Sequence, residues 1–244
     1  MGSGVAMFVA YFSTFTSLQR TQQSYYAENR FGDVFAGLKR APDRVRAQLQ
    51  ELPGVDRVAR RVVVDGNLDL EGEGEPVSAR MVSIPERGVP TLNEVTLVRG
   101  RRPEPERAEE VIVSEGFALA RDLGPGDRLA AVINGRRRQL EIVGVGLSPE
   151  FVFTIRPGEL IPDQKRFGIL WMGRQALAAA YDMEGGFNDV SLRLAAGAEP
   201  EEVIARVDRV LRPFGGLGAV PRSLQLSNWY LTSELKQLRG FGSI

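Results

Sequence analysis

The residue types in this chain limit its chemistry before any motif is considered. Its 244 residues include no histidine and no cysteine. Ser-His-Asp and Cys-His nucleophile systems, acid–base catalysis by histidine and Cys/His zinc sites are therefore excluded. Carboxylate chemistry, lysine chemistry and an all-oxygen metal site stay open. The lack of cysteine is compatible with any redox compartment.

Carboxylates are the most numerous candidate groups, with 31 Asp and Glu residues. Three acids alternate with glycine in residues 71–75, but the spacing of an EF-hand is absent and a solvated loop explains them better. Others, such as Asp43, Glu51, Glu201 and Glu202, fall in loops or on polar helix faces, where contact with solvent is typical. A hydrolase with two converging carboxylates stays an alternative, and one strongly raised carboxyl pKa in an aromatic cleft would support it.

Composition and charge favour a globular domain that is not an enzyme. Lys and Arg also number 31, so the net charge is zero and the attraction that nucleic-acid binders use is missing. The 43% hydrophobic content is ordinary for a folded chain, and this length buries a core without disulfides or metals. We predict no nucleic-acid partner, no cofactor, no metal and no catalytic residues.

Both ends of the chain carry apolar residues at helical spacing. We predict an N-terminal helix over residues 5–30 and a C-terminal helix over residues 227–241, the latter capped by Ser227. Each apolar stretch is shorter than the ~20 residues that span a bilayer. The helices are either the outer ends of transmembrane helices or core helices of the domain. The candidate membrane-proximal residues are Phe8, Phe12, Phe15, Trp229, Tyr230, Leu231, Leu235 and Leu238.

Two strand–helix units of similar design lie far apart in the chain. In one, Pro42 and Asp43 open a helix, and a β-branched strand follows over residues 55–64; in the other, Pro200 opens a helix after a strand. Residues 31–65 and 187–220 are predicted to form one split, porter-like α/β subdomain. The helix faces expected to point inward carry Val45, Leu49 and Leu52 in the first unit, and Val203, Val207 and Val210 in the second.

Residues 66–186 are predicted to form an inserted, β-rich subdomain, so the fold class is α+β. Asn134 and Gly135 predict a hairpin turn inside it, and Ser114 is a candidate N-cap of one of its one or two helices. Arg136, Arg137 and Arg138 follow the turn; lipid phosphates are one possible target, but a solvated hairpin edge explains them better.

The segment 148–168 is long for a loop in a compact domain, and such loops are often functional. Phe151 and Phe153 are the candidate surface for a substrate or partner; the alternative is that both rings fill the core. If the segment forms a contact surface, deletion of residues 150–165 should leave the fold intact.

Four short strings resemble one known family. They are EVIVSEGFA at residues 110–118, GDRL at 126–129, NG at 134–135 and IVGV at 142–145, with GRRP at 100–103 before them. Their content, order and spacing are similar to the extracytoplasmic core domain of FtsX/MacB-type ABC transporter permeases. In that family, a split porter-like subdomain with an inserted β-rich subdomain lies between two transmembrane helices.

The resemblance implies the extracytoplasmic, membrane-tethered domain of a permease subunit, with its transmembrane bundle and ABC ATPase elsewhere. The predicted terminal helices would then be stalks that carry ATP-driven motion to an external substrate or partner, in export, lipoprotein release or hydrolase activation. The sequence contains no Walker A string, so this segment is not expected to bind ATP. A free-standing extracytoplasmic ligand-binding module is the main alternative, and a large apolar pocket between the subdomains would favour it.

Overall fold

The computed structural model describes residues 21–70, 76–156, 159 and 161–241, with backbone alone from residue 234. Phe8, Phe12, Phe15 and the acidic stretch 71–75 lie outside these residues. The side chains of Leu235 and Leu238 do so as well, although both positions belong to the C-terminal helix. In the described chain, no helix is both long and apolar enough to cross a membrane.

The described residues form the mixed α+β fold that the sequence predicts. In chain order the strands are β1 (Val34–Pro42), β2 (Val55–Arg61), β3 (Val63–Asp69), β4 (Val77–Ile84), β5 (Thr96–Gly100), β6 (Glu110–Ser114), β7 (Arg128–Ile133), β8 (Arg136–Leu147), β9 (Phe167–Gly173), β10 (Gly186–Leu194) and β11 (Gly216–Pro221). The helices are α1 (residues 21–28), α2 (Val45–Gln50), α3 (Glu115–Arg121), α4 (Arg174–Ala180), α5 (Pro200–Leu211) and α6 (Leu226–Phe241).

A four-stranded antiparallel sheet in the order β11-β1-β10-β2 carries α2 and α5 on one face. The two helices supply apolar side chains to one core because those residues recur at about one helical turn. The buried helical residues are Val45, Leu49, Val203, Val207 and Leu211, while Leu52 and Val210 are only partly buried. The helical periodicity therefore predicted most of these inward positions. In the last turn of α5, the buried residue is Leu211 instead of the predicted Val210.

The chain passes from this sheet to a second one at Val62, which is fully buried. Its N–H donates to the Ser83 hydroxyl at 2.8 Å instead of continuing a strand ladder. The Asn188 side chain then bonds to both backbone groups of Val63: it accepts from the Val63 N–H at 2.8 Å and donates to the Val63 C=O at 2.7 Å. The single predicted strand over 55–64 is therefore wrong: side-chain hydrogen bonds satisfy the backbone where the strand changes sheets.

The second sheet has the order β5-β8-β6-β9-β4-β3-β7, and β7 also pairs with β8. The pairings therefore close into a barrel of six strands, with β5 added along the final residues of β8. The β4–β9 and β6–β8 pairings are parallel and the others antiparallel. The turn between β7 and β8 has positive φ at Asn134 (47°) and Gly135 (74°), which confirms the predicted hairpin.

Three of the strings that resemble the permease family, at residues 100–103, 110–118 and 142–145, lie where β5, β6 and β8 meet. The Glu110 carboxylate accepts two hydrogen bonds of 2.7 Å from Arg101, and these bonds hold the pKa of Glu110 below its usual value. Gly100 has a φ of +79°, and a Cβ there would lie 2.3 Å from the Val143 carbonyl oxygen. A Cβ on Gly144 would lie 2.5 Å from a backbone oxygen as well, so these glycines permit a close approach of the two strands.

Candidate functional site at the junction of the terminal helices

The end of α1 and the beginning of α6 meet at Arg222, in the short 3-10 helix Arg222–Leu224 that precedes α6. The Arg222 guanidinium donates to the carbonyl oxygens of Phe31 (2.6 Å) and Gly32 (2.7 Å) and pairs with Asp33 at 2.5 Å. It also lies 5.2 Å from the Phe31 ring centroid and 5.9 Å from that of Tyr26. One arginine thus joins the start of α6 to the turn after α1.

An aromatic cluster supports this contact. Tyr26, Phe31 and Phe35 are buried together, and Leu231 of α6 packs against them. Tyr25 packs on the same cluster, and burial raises the pKa of its hydroxyl to about 12. Among the predicted membrane-proximal residues, Leu231 is therefore a packing residue of the domain, whereas Trp229 is 54% exposed.

The start of α6 is also bonded to the segment that follows β8. The fully buried Ser227 hydroxyl lies 2.8 Å from the carbonyl oxygens of both Glu150 and Phe153 and accepts from the Phe153 N–H at 3.1 Å. Gln225 caps the helix, since its Oε1 accepts from the Asn228 N–H at 3.0 Å. The prediction that Ser227 caps α6 is therefore wrong; its hydroxyl binds the neighbouring segment. Ser114 does occupy the predicted N-cap position of α3, but its hydroxyl makes no capping hydrogen bond and accepts instead from the N–H of Ile169.

The two candidate contact residues have partners inside the domain. The Phe151 ring meets Trp171 edge-on, with centroids 6.1 Å apart, and Phe153 stacks on Tyr230 of α6 at an interplanar angle of 10°. A role for these rings in binding a partner stays a prediction. Phe151 nevertheless belongs to a core cluster, so the deletion of residues 150–165 would remove core packing, contrary to the sequence expectation.

Beneath this segment lies a buried charge triad formed by Arg61, Glu150 and Asp189. Arg61 donates from Nη1 and Nη2 to the two Glu150 oxygens at 2.5 and 2.9 Å, and from Nε and Nη2 to Asp189 at 2.8 and 2.6 Å. Burial raises the pKa of Asp189, and Arg61 opposes the increase. The triad joins β2 and β10 to the segment that contacts α6.

Asn93 extends the triad to the other terminal helix. Its side-chain nitrogen donates to Glu150 (2.9 Å) and Ser191 (3.0 Å), and its oxygen accepts from the Gly32 N–H at 2.8 Å. Gly32 also accepts from Arg222. The hydrogen bonds of the triad therefore reach the turn after α1 as well as the start of α6.

This geometry gives little support to a carboxylate hydrolase. Glu150 and Asp189 do converge, and one of them has a raised pKa, but the Arg61 guanidinium lies between them and binds both. A general acid and base need access to a substrate. In the part of the chain that is described, no three acidic side chains are grouped as metal ligands.

Sequence reasoning did not single out Arg61, Asn93, Asp189 or Arg222. Arg61 is separated from Glu150 by 89 residues and from Asp189 by 128, so no local spacing connects them. One weak signal existed: Arg61 directly precedes three consecutive valines, Val62, Val63 and Val64, in a run predicted to be a strand. Such a residue is rarely buried unless it is paired.

Comparison with known proteins identifies the domain type. Residues 1–210 match the family model of the MacB-like periplasmic core domain. The chain belongs to this family. The match confirms the resemblance that the strings at residues 100–145 indicate, to the extracytoplasmic core domain of FtsX/MacB-type ABC transporter permeases.

Two of the similar solved structures share few identical residues with this MacB-like domain. The extracellular domain of the noncanonic ABC-type transporter YknZ from Gram-positive bacteria has a TM-score of 0.46 and 11% identity, covering 78% of this chain and 98% of that one. The periplasmic region of MacB from Actinobacillus actinomycetemcomitans has a TM-score of 0.46 and 9% identity, covering 88% and 97% respectively. No curated protein sequence matches the chain significantly.

Proposed function

We propose that this MacB-like domain is the membrane-tethered, extracytoplasmic part of an ABC transporter permease and carries helix motion to an external substrate or partner. In this proposal, α1 and α6 are the described parts of two stalks that continue into a transmembrane bundle. An ABC ATPase on the cytoplasmic side supplies the motion. The external step is export, lipoprotein release or activation of a hydrolase.

The junction of α1 and α6 is the observation that carries the proposal. Arg222 binds the turn after α1 from the start of α6, so the two helices are held beside each other. Ser227 joins α6 to the segment after β8, and Asn93 joins that segment to the turn after α1. A displacement of either helix is therefore opposed by directional hydrogen bonds between the residues that adjoin the two helices and by bonds to the core.

The domain organisation supports a mechanical role. We propose that residues 31–65 and 187–220 form the porter-like subdomain and residues 66–186 the inserted one, with the change of sheet at Val62. The stalks, residues 5–30 and 227–241, then enter beside the porter-like sheet. Phe151 and Phe153 stay the proposed region for a substrate or partner, and Tyr230 links that region to α6 through its stacked ring.

The proposal is tested by measuring domain motion in the full-length permease with its ATPase. Spin labels are attached at Leu119→Cys on the barrel unit and Leu217→Cys on the four-stranded sheet, which are 68% and 76% exposed. These 244 residues contain no cysteine, and any cysteine in the rest of the complex is first replaced by serine. We expect the distance distribution between the labels to change when ATP is added. Arg222→Gln should abolish the change while ATP hydrolysis continues.

Arg206→Gln is the matched control, since it removes one guanidinium from α5 that binds Glu202 and Pro53 away from the junction. It should preserve the ATP-dependent change. An unchanged distance distribution in the unmodified protein would contradict the proposal, and so would an Arg222→Gln response equal to that of Arg206→Gln. Circular dichroism of each variant shows whether the domain remains folded.

A further inference from the structure

A cavity of about 290 Å³ lies in the seam between the four-stranded sheet and the barrel. One wall comes from α2 and β2, and the other from the end of β4, the chain that follows it and the start of α4. Val58, Ile84, Pro85 and Leu92 give the cavity an apolar lining. The volume is close to the lower end of small-molecule sites, about 300–1,000 Å³.

Four arginines line the same cavity: Arg46 of α2, Arg60 and Arg61 of β2, and Arg174 of α4. Arg61 is bound by Glu150 and Asp189 in the charge triad. Asp43 pairs with two of them, at 2.8 Å from Arg60 Nε and 2.8 Å from Arg174 Nη2. The four guanidinium groups are thus bound by three carboxylates, which leaves the charge of Arg46 without a carboxylate partner among the described residues. Glu86, an acid just after β4, accepts from the Gln175 N–H at the start of α4.

Arg46 has donors available for a ligand. Its Nε donates to the Val58 carbonyl oxygen at a long 3.5 Å, and it forms no ion pair with any described residue. Arg174, in contrast, donates to Asp43 and to the carbonyl oxygens of Arg60 and Gly186. Burial lowers the pKa of Arg174, and the neighbouring Arg60 charge lowers it further, so the pairing with Asp43 does not fully offset the cost of the Arg174 charge.

We propose that this seam cavity binds a small amphipathic anion, a phosphate or carboxylate group on a short apolar body. The anionic group bonds to the planar guanidinium of Arg46 and to Nη1 of Arg60, because Nε and Nη2 of Arg60 already donate to Asp43. The apolar body lies against Ile84, Pro85 and Leu92. This assignment does not depend on the proposed function.

The cavity has one wall on each sheet, so the bound anion would have a mechanical effect. Arg46 and Arg60 belong to the four-stranded sheet and its helix, whereas Arg174 belongs to the barrel unit. A ligand that contacts both sides stabilises their relative position, because it binds this arrangement better than one with an opened seam.

Isothermal titration calorimetry on the purified 244-residue chain tests the proposal, with octyl phosphate below its micelle concentration as the probe. We expect saturable binding that Arg46→Gln weakens about tenfold or more, since one charge-assisted contact is lost. Arg44→Gln is the matched control, because Arg44 is exposed and lies outside the cavity lining. Its affinity should equal that of the unmodified chain. Octanoate in place of octyl phosphate shows whether a carboxylate or a phosphate is preferred.

Inorganic phosphate tests the apolar part of the site and octyl glucoside tests the charge. Both should bind at least about tenfold more weakly than octyl phosphate. Thermal unfolding gives a second measurement, because a ligand that binds only the folded state raises Tm. Absence of saturable binding, equal affinities of Arg46→Gln and Arg44→Gln, or equal binding of octyl glucoside would each overturn the proposal.

Discussion

Removal of the Arg61 guanidinium is expected to be among the most destabilising single changes in the domain. Arg61→Met leaves Glu150 and Asp189 close together without the cation that accounts for four of their hydrogen bonds. Breaking a buried ion pair by removing one partner costs about 3–5 kcal/mol. Here two carboxylates lose their partner at once, so we expect the upper part of that range, a large share of the ~5–15 kcal/mol that stabilises a typical domain.

Urea unfolding followed by tryptophan fluorescence measures this loss. Trp171 is 2% exposed and packs with Phe151 in the same segment as Glu150, whereas Trp229 is half exposed, so the change in emission reports mainly on the core. The matched control is the triple variant Arg61→Met, Glu150→Gln and Asp189→Asn, which removes all three charges. It should lose no more than about 2 kcal/mol, because no buried charge is left unpaired.

The pH dependence gives an independent check on the cause. Burial raises the pKa of Asp189, so the folded state binds this proton at a higher pH than the unfolded chain does. Ionised Asp189 therefore reduces the stability of the folded state above its raised pKa, and this reduction fades as the pH falls towards the usual carboxyl pKa of about 4. Arg61 lowers this pKa, so Arg61→Met widens the pH range over which ionised Asp189 destabilises the folded state. The stability loss caused by Arg61→Met should therefore shrink as the pH falls. A deficit below about 1 kcal/mol, or one equal to that of the triple variant, would refute the reasoning.

Two further changes test the barrel and the sheet edge. Gly100→Ala should destabilise the domain by about 1–3 kcal/mol more than Gly88→Ala. Both positions have positive φ, but only a Cβ at Gly100 would clash with backbone. Equal losses of stability in urea unfolding would show that the contact with Val143 is irrelevant. Asp208→Ala should expose the outer edge of β11, because Asp208 accepts a hydrogen bond from the Ala219 N–H at 2.7 Å. Light scattering should then show concentration-dependent association of the variant. A variant as monodisperse as the unmodified chain would contradict this role.

The sequence predicted the parts of the fold that depend on local pattern. The inward positions of α2 and α5 follow from residues one turn apart, as Val45 and Leu49 show. The hairpin at Asn134 and Gly135 follows from residues that adopt positive φ easily. Neither feature requires knowledge of distant parts of the chain. Local strings of the barrel were also sufficient to indicate the family.

The features that sequence reasoning missed depend on distant partners. The run from Val55 to Val64 contains five valines and no glycine or proline that would mark a break, and only the Ser83 hydroxyl and the Asn188 amide show that it changes sheets. Closure of the barrel depends on β8 having pairing partners on both of its edges. Arg61 resembled any other arginine at a strand end until the fold placed two carboxylates beside it.

Under the proposed function, the contacts at the start of α6 determine which parts of the domain move with this helix. Ser227 connects α6 to the segment at Glu150, and that segment reaches the barrel through Phe151 and the four-stranded sheet through Arg61. These are short hydrogen bonds and ring contacts to rigid strands, whereas a soft hinge would have few buried contacts. A rotation of α6 is therefore expected to move both sheets, and any change in their relative position alters the seam cavity, because it has one wall on each sheet.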